Sequence, residues 1–282
     1  MRIIPVTFLL LYDFCPRRLF LEQVLGSPPE PRPKLLLGRV RHFAHTKLHS
    51  WESQVLPGVT LPVNPYRITD LYKRHNHKVL QNAIIAHKSQ LTAHNFSLIE
   101  TYKTLWPGVI YESQDRANKV IAYLSRQEKL SSDWFDDFSP KLSHELMLSS
   151  VTLRLSGVVD RVSAKRDERT LIELKTGKMP EEGAWRSHRL QLAAYALLYR
   201  TIRGERPRAA VRYLDARHDR DVDVSDQTDA WVLTVKTDVE QLLASTELPR
   251  FVDNRKKCMV CPHKLVCYDE EQVRALHKER FA

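Results

Sequence analysis

Residues 157–195 read GVVDRVSAKRDERTLIELKTGKMPEEGAWRSHRLQLAAY, and this stretch decides the fold. Val151–Ser163 alternates apolar and polar residues and is rich in Val and Leu, which predicts a β-strand. Ala164–Arg169 is a charged turn, and Thr170–Lys175 is a second short strand. Because two strands joined by so short a turn must pair antiparallel, the sequence predicts a β-hairpin here.

Acidic and basic side chains gather on one patch of this hairpin. Asp160 lies across the hairpin from Glu173, and Glu173 and Lys175 share a face because they are two residues apart in a strand. Two carboxylates can hold a divalent cation, and the carbonyl of Leu174 is a further candidate ligand. Such a cation polarises a phosphate and activates water, while an ammonium group offsets transition-state charge. The pattern favours metal-assisted phosphodiester cleavage.

A helix follows from about Trp185 to Arg203, closed by Gly204. Its apolar residues recur at helical spacing and predict the buried face: Leu190, Ala193, Ala194, Leu197, Leu198 and Thr201. His188, Gln191 and Tyr195 form a separate stripe. Their polar atoms can hydrogen-bond a metal-bound water or a phosphate.

Taken together, the ordered motifs G-x-x-D, E-x-K, T-G-K and Q-x-x-x-Y resemble the RecB-like branch of the PD-(D/E)XK nuclease superfamily. The resemblance implies an α/β fold with a restriction-endonuclease-like core, in which helices flank a mixed central sheet. It also implies that Asp160, Glu173 and Lys175 are the core catalytic residues. Gln191 and Tyr195 are then the supporting motif.

An upstream helix carries a possible further metal ligand. The pattern predicts a helix from about Lys34 to Ser50, with an apolar face formed by Leu36, Val40, Phe43, Ala44 and Leu48. Gly38 and His42 form G-x-x-x-H beside that face, which is similar to a motif of the same nuclease branch. The resemblance implies that His42 joins the two carboxylates on Mn²⁺ or Mg²⁺, and an imidazole ligand favours Mn²⁺. His45 is the alternative ligand.

Four cysteines lie at the two ends of the chain: Cys15, Cys258, Cys261 and Cys267. In a reducing compartment such cysteines bind a metal more often than they form disulfides. Tetrahedral zinc is one interpretation. The spacing also resembles the iron–sulfur RecB-like nucleases, which include the AddB nuclease domain and the fourth family of CRISPR-associated nucleases. The segment C-P-R-R-L-F-L is similar to the latter. The resemblance implies an iron–sulfur cluster joining the chain ends, with [4Fe–4S] preferred to [2Fe–2S].

The 282 residues are long enough for one large domain, and we interpret 1–282 as a single RecB-like nuclease domain. Residues 51–140 contain none of these motifs and are predicted to form a helical insertion. Helical periodicity runs from about Ile68 to His94 and from Gln114 to Leu130. This insertion is an arch for single-stranded DNA, a docking surface for a partner, or filler. Residues 250–282 form a cysteine-containing C-terminal region.

Other elements complete the predicted sheet. Ser143–Leu148 leads into the core, and Ala209–Leu214 and Asp221–Val224 are further strands. Asp226 to about Ser245 is a helix. Glu145 lies either near the metal or on a solvated strand end.

Charge and hydropathy indicate the kind of partner. The net charge is +10 and the isoelectric point is about 9.5, which favours an anionic partner such as nucleic acid. A basic run just before the cysteines can contact phosphates: Arg250, Arg255, Lys256 and Lys257. No apolar run reaches the roughly 18 residues of a membrane span, and the apolar start has no A-x-A-like cleavage site. We therefore expect a cytoplasmic protein.

By resemblance, the protein is a metal-dependent DNA exonuclease that acts on single-stranded DNA or overhangs. It would process spacer precursors in CRISPR adaptation, alongside the CRISPR integrase. One alternative is a stand-alone recombination or repair nuclease. A second is a catalytically silent DNA-binding subunit with a structural cluster. The intact Asp–Glu–Lys set argues against the silent form.

Overall fold

The computed structural model describes residues 2–30, 32–138, 140–165 and 167–282. Arg166, in the predicted charged turn, lies outside this set. The strands are β1 (Ile4–Pro5), β2 (Lys141–Ser150), β3 (Leu155–Lys165), β4 (Glu168–Lys175), β5 (Arg208–Tyr213) and β6 (His218–Val222). The α-helices are α1 (Val6–Phe14), α2 (Pro16–Gln23), α3 (Leu36–Lys47), α4 (Glu52–Val55), α5 (Pro65–Ala86), α6 (Lys88–Ala93), α7 (Leu98–Leu124), α8 (Trp134–Asp137), α9 (Arg186–Arg203), α10 (Asp226–Ala244), α11 (Arg255–Met259), α12 (Lys264–Tyr268) and α13 (Glu270–Phe281).

The strands form one mixed sheet in the order β1-β3-β4-β5-β6, and β2 also pairs with β3. The predicted hairpin is confirmed, because β3 and β4 pair antiparallel with Arg161 opposite Ile172. β4 and β5 are parallel, and β5 and β6 are antiparallel. β3 begins at Leu155 rather than at Val151, because residues 151–154 form the turn that connects it to β2.

Helix α9 is the centre of the main core. It contacts the sheet, α1 and α10, so nearly every side chain from Leu190 to Tyr199 is buried. The polar stripe at Gln191 and Tyr195 is therefore buried as well, whereas Thr201, predicted to face inward, is exposed. The helix ends where Gly204 adopts a left-handed conformation with φ of 79°, as predicted. The sheet is thus flanked by helices.

Gly157 in β3 allows α9 to approach the sheet closely. A Cβ atom at this position would lie 2.5 Å from Cε1 of Tyr195 and 3.2 Å from a methyl group of Val6. No side chain fits in that space, so glycine is required for the ring of Tyr195 to pack on the strand. The G-x-x-D and Q-x-x-x-Y motifs are therefore in contact through packing.

The segment between Trp51 and the start of β2 is mainly helical, and its long helices α5 and α7 pack on each other and on α3. Helix α7 begins at Leu98, capped by the Ser97 hydroxyl, and ends at Leu124. It therefore starts well before the predicted Gln114, even though Pro107 lies inside it. Packing of an apolar face on α5 outweighs the weak local signal at that proline.

A buried ion pair joins the short helix α4 to these long helices. Two nitrogens of Arg116 donate to the Glu52 carboxylate, with Nε–Oε1 and Nη2–Oε2 distances of 2.8 Å and 2.6 Å. The hydroxyl of Tyr72 donates to the same carboxylate at 2.7 Å. A third group of Arg116 donates to the carbonyl of Pro140 at 2.9 Å, beside the start of β2. This network attaches the helical segment to the sheet.

The two ends of the chain meet. Apolar residues of α2 and of the two positions that follow it form a small core with Val273 of α13: Phe20, Leu21, Val24 and Leu25. Cys15 lies between α1 and α2, and Pro16 occupies the first turn of α2, where no amide donor is needed. Within the described part of the chain, no helix is long and apolar enough to cross a membrane.

Candidate active site

Three side chains from three elements converge beside the hairpin. His42 of α3, Asp160 of β3 and Glu173 of β4 each offer one ligand atom, and these atoms lie within 4.8 Å of one another. The β3–β4 register, extended by one pair, places Asp160 directly opposite Glu173, as the sequence predicted. One imidazole and two carboxylates form a donor set that suits a divalent cation.

Asp160 is held by the strand next to it. Its Oδ2 accepts a hydrogen bond from the backbone amide of Leu174 at 2.8 Å and lies 3.0 Å from Nε2 of His42. Burial alone would lower the pKa of His42, but the hydrogen bond and negative charge of Asp160 outweigh it and raise that pKa. A positive group is therefore favoured beside Asp160, which is the electrostatic condition for binding a cation.

Glu173 is almost completely buried, at 3% exposure. Its Oε1 accepts hydrogen bonds from Lys175 at 2.9 Å and from Gln191 at 2.8 Å. Its Oε2 is buried and has no hydrogen-bond partner in the protein. Burial raises the pKa of Glu173 well above its ordinary value, although Lys175 opposes the shift. An unpartnered buried carboxylate oxygen is costly, and a bound cation would remove that cost.

Lys175 is oriented from both sides. Its Nζ donates to Glu173 and to Oε1 of Gln191, the latter at 2.7 Å. The amide nitrogen of Gln191 donates in turn to the hydroxyl of Tyr195 at 3.0 Å. The two members of the Q-x-x-x-Y motif thus form a chain of hydrogen bonds behind the ammonium group. Leu174 lies between Glu173 and Lys175 in β4, as the sequence requires.

Three other residues considered from the sequence lie outside this group. His45 is buried one turn beyond His42, and neither ring nitrogen has a hydrogen-bond partner. Burial, followed by Arg41 and Arg161, lowers the pKa of His45 to about 3, so it is neutral at pH 7. Glu145 is exposed and pairs with Lys47 at 2.7 Å. His188 lies 3.0 Å from the hydroxyl of Tyr213.

A cleft of about 1040 Å³ opens beside the site. It runs between α3, α7 and the loops that follow β4 and β5. Its basic lining residues are Arg39, Arg41, His42, His87, Lys175 and Arg217. The guanidinium of Arg217 lies 4.4 Å from the centroid of the Tyr111 ring, and Arg41 contacts Asp215 across the cleft. The cleft therefore joins the candidate metal ligands to a positively charged wall.

The four cysteines line one small cavity between the chain ends, and none is in a disulfide. In the part of the chain that the structure describes, groups of three ligand atoms within 4.8 Å of one another are limited to His42, Asp160 and Glu173. No three cysteine sulfurs are that close. Four thiols that line one cavity are a donor set for a tetrahedral metal ion or for an iron–sulfur cluster.

Sequence reasoning missed several residues of these sites. Arg41 and Arg217 line the cleft, although neither belongs to a motif. Arg17 donates a hydrogen bond to the sulfur of Cys267 at 3.2 Å. The only available signal for Arg17 was its place in the C-P-R-R segment, because its partner is 250 residues away.

The chain is similar in sequence to proteins named as CRISPR-associated exonucleases. The chain is 33% identical over 144 residues to a CRISPR-associated exonuclease Cas4/endonuclease Cas1 fusion from Myxococcus xanthus (strain DK1622), covering 48% of this chain and 25% of that protein. It is 29% identical over 131 residues to a CRISPR-associated exonuclease Cas4 from Rhodospirillum rubrum (strain ATCC 11170), covering 46% of this chain and 39% of that protein. The chain therefore matches well under half of each relative's length.

Among solved structures, the crystal structure of SSO0001 matches 60% of this chain and 79% of its own, with 12% identity and a TM-score of 0.33. A TM-score this low does not establish a shared fold. The model of the PD-(D/E)XK nuclease superfamily, in contrast, matches residues 6–268, nearly the whole sequence. That match includes every candidate metal ligand and all four cysteines, and the chain belongs to the PD-(D/E)XK nuclease superfamily.

Proposed function

We propose that this protein is a metal-dependent DNA exonuclease. The observation that carries the proposal is the buried Oε2 of Glu173, which has no partner in the protein and lies in one group with Asp160 and His42. A bound cation would satisfy this oxygen. The basic cleft beside it supplies a path for a polyanion.

His42, Asp160 and Glu173 would hold Mn²⁺ or Mg²⁺, with the carbonyl of Leu174 as a further candidate ligand. The cation would polarise the scissile phosphate and supply a nucleophilic water. The ammonium of Lys175 is held 2.9 Å from Glu173, where it can orient the attacking water and offset charge on the phosphate. Gln191 and Tyr195 keep that ammonium in place.

The substrate in this proposal is single-stranded DNA or an overhang. The cleft is bounded by α3 and α7 on one side and by the loops after β4 and β5 on the other. Arg39, Arg41 and Arg217 would bind backbone phosphates, and the ring of Tyr111 supports the guanidinium of Arg217. In this proposal the helical insertion forms part of the substrate channel, which corresponds to the arch for single-stranded DNA among the three interpretations of the sequence.

The cysteine cavity is proposed to hold an iron–sulfur cluster, preferably [4Fe–4S]. Its four thiols come from both chain ends and line one cavity, and the preference for a cluster over zinc rests on the resemblance to the iron–sulfur RecB-like nucleases. A cluster at this place would connect α2 to the C-terminal helices and stabilise the nuclease core from outside its active site.

The relatives suggest a setting in CRISPR adaptation. One of them is named as an exonuclease fused to the endonuclease Cas1. Physical fusion places two proteins at the same task, so the proposed partner of this chain is a Cas1-type integrase and the proposed role is the trimming of spacer precursors. Co-purification of the chain with that integrase, and trimming of precursor ends by the complex, would distinguish this role from stand-alone repair.

The direct test is cleavage of end-labelled DNA. Single-stranded DNA, duplex with a 3′ overhang and blunt duplex are incubated with Mn²⁺, Mg²⁺ or EDTA. We expect cleavage of the first two substrates with metal and no cleavage in EDTA. Glu173→Gln should be inactive, whereas Glu168→Gln, the same change at an exposed position of β4, should remain active. Wild-type cleavage in EDTA, or full activity of Glu173→Gln, contradicts the proposal.

A further inference from the structure

Arg17 is a buried cation in the wall of the cysteine cavity. It is only 8% exposed and is the second residue of α2, directly after Pro16. Its Nε donates to Sγ of Cys267 at 3.2 Å. The side chain of Tyr268 hydrogen-bonds Cys258, and the backbone amides of Arg17 and Arg18 hydrogen-bond Cys15. The donor to Cys267 differs from these because it carries a positive charge.

The remaining contacts of Arg17 hold its guanidinium group in one orientation. Nη1 donates to the carbonyl of Pro249 at 2.9 Å, and Nη2 donates to the carbonyl of Cys267 at 3.4 Å. The ring of Phe251 covers the group, with 4.1 Å from the guanidinium carbon to the ring centroid. A planar group fixed at three points cannot rotate away, so the N–H group stays directed at the sulfur.

A positive N–H donor directed at a ligand sulfur has a known electronic effect. It withdraws electron density from the thiolate and stabilises the form of the cluster that carries more negative charge. Hydrogen bonds to sulfur and nearby charge are two of the factors that set the reduction potential of an iron–sulfur centre. The reduced cluster carries the extra negative charge, so the donor favours reduction.

We propose that Arg17 is a positioning residue for the iron–sulfur site. Its guanidinium group holds Cys267 in place as a ligand and raises the reduction potential of the cluster. This inference rests on the cluster proposed above. It concerns the chain's own residue and not the nuclease reaction. Arg17, the first arginine of the C-P-R-R segment, would then have a function outside the active site.

The test compares four anaerobically purified full-length proteins: wild type, Arg17→Gln, Arg17→Lys and Arg18→Gln. Arg18 is the matched control because it lies in the same helix and also lines the cavity, but its guanidinium pairs with the carboxylate of Glu22 at 3.7 Å instead of with a sulfur. For each protein, iron and sulfide content are measured first. The reduction potential is then measured by a redox titration followed by EPR and visible absorbance.

We expect the potential to fall in Arg17→Gln, to fall less in Arg17→Lys, which keeps the charge but not the planar donor, and to stay unchanged in Arg18→Gln. Should Arg17→Gln fail to retain iron, Arg17→Lys alone decides the matter. An unchanged potential in an iron-loaded Arg17 variant overturns the inference. A wild-type protein without iron would instead refute the proposed cluster, so the two failures are separate.

Discussion

The ring of Tyr195 occupies the space that a side chain at residue 157 would need, with Cε1 only 2.5 Å from the position of a Cβ atom. Gly157→Ala must therefore displace a buried ring or move α9. We expect a loss of about 1–3 kcal/mol in the free energy of unfolding, which is typical of overpacking in a core. Urea unfolding followed by circular dichroism measures this loss.

Moving Tyr195 should also disturb Gln191, its hydrogen-bond partner. Tyr195→Phe is the matched comparison, because it removes the hydroxyl and leaves the ring in place. Gly157→Ala should reduce both stability and cleavage, while Tyr195→Phe should reduce cleavage with a smaller effect on stability. Equal stability of Gly157→Ala and wild type would show that the core accommodates the extra methyl group.

Metal affinity should depend on both carboxylates. Asp160→Asn and Glu173→Gln each replace a charged ligand by a neutral one of similar shape, so Mn²⁺ binding should be lost or greatly weakened in both. His42→Ala should weaken Mn²⁺ binding less, because both carboxylates remain. Calorimetric titration with Mn²⁺ measures these affinities without any DNA. Wild-type affinity in Asp160→Asn would remove Asp160 from the ligand set.

Gln191 should act on catalysis through Lys175. Removing the ammonium in Lys175→Ala should lower the cleavage rate by on the order of 10²–10³, the usual effect of losing one electrostatic contact in a transition state. Gln191→Ala should have a smaller effect. The double variant should lose less than the two single losses combined, because the amide then has no ammonium to orient and keeps only its hydrogen bond to Glu173. Additive losses would mean that Gln191 acts independently.

Two glycines on helices beside the cleft offer a matched pair. A Cβ atom at Gly38 would lie 3.3 Å from the hydroxyl oxygen of Thr176, next to Lys175, whereas one at Gly108 would meet nothing closer than 3.7 Å. Gly108→Ala should raise stability by up to about 1 kcal/mol, because alanine favours a helix more than glycine does. Gly38→Ala should gain less and should lower cleavage more, since Thr176 must move. Thermal unfolding and single-turnover cleavage check both expectations.

The buried pair of Glu52 and Arg116 should dominate the stability of the helical insertion. Arg116→Ala leaves the Glu52 carboxylate buried with only the Tyr72 hydroxyl as a donor, and should cost about 3–5 kcal/mol. Lys119→Ala, at an exposed pair in the same helix, should cost less than about 1 kcal/mol. Chemical unfolding measures both. A small loss in Arg116→Ala would mean that water enters and replaces the guanidinium.

Much of the site could be predicted because its signals are local. The hairpin brings Asp160 opposite Glu173 through strand pairing alone, and alternation along β4 places Glu173 and Lys175 on one face. The end of α9 follows from Gly204. His42 required the G-x-x-x-H motif, since no local rule brings α3 to the hairpin. Its role as a metal ligand stays a prediction.

The rest depends on contacts between distant segments. Helix α7 extends through Pro107 because α5 and α3 bury its apolar face, and local helix propensity does not contain that information. Thr201 has the spacing of a buried residue but lies near the end of α9, beyond the elements that cover the helix. The contact between Arg17 and Cys267 depends on how the chain ends meet, which periodicity cannot reveal.

The cysteines of the cavity are synthesised at widely separated times. Cys15 leaves the ribosome early, but its partner residues follow about 240 residues later. At about 5–20 residues per second, that interval lasts on the order of tens of seconds. Every candidate active-site residue, from His42 to Tyr195, is made within it. The nuclease core is therefore translated before its cysteine cavity can exist, and a prematurely terminated chain would carry the catalytic residues with a solitary, unprotected thiol at Cys15.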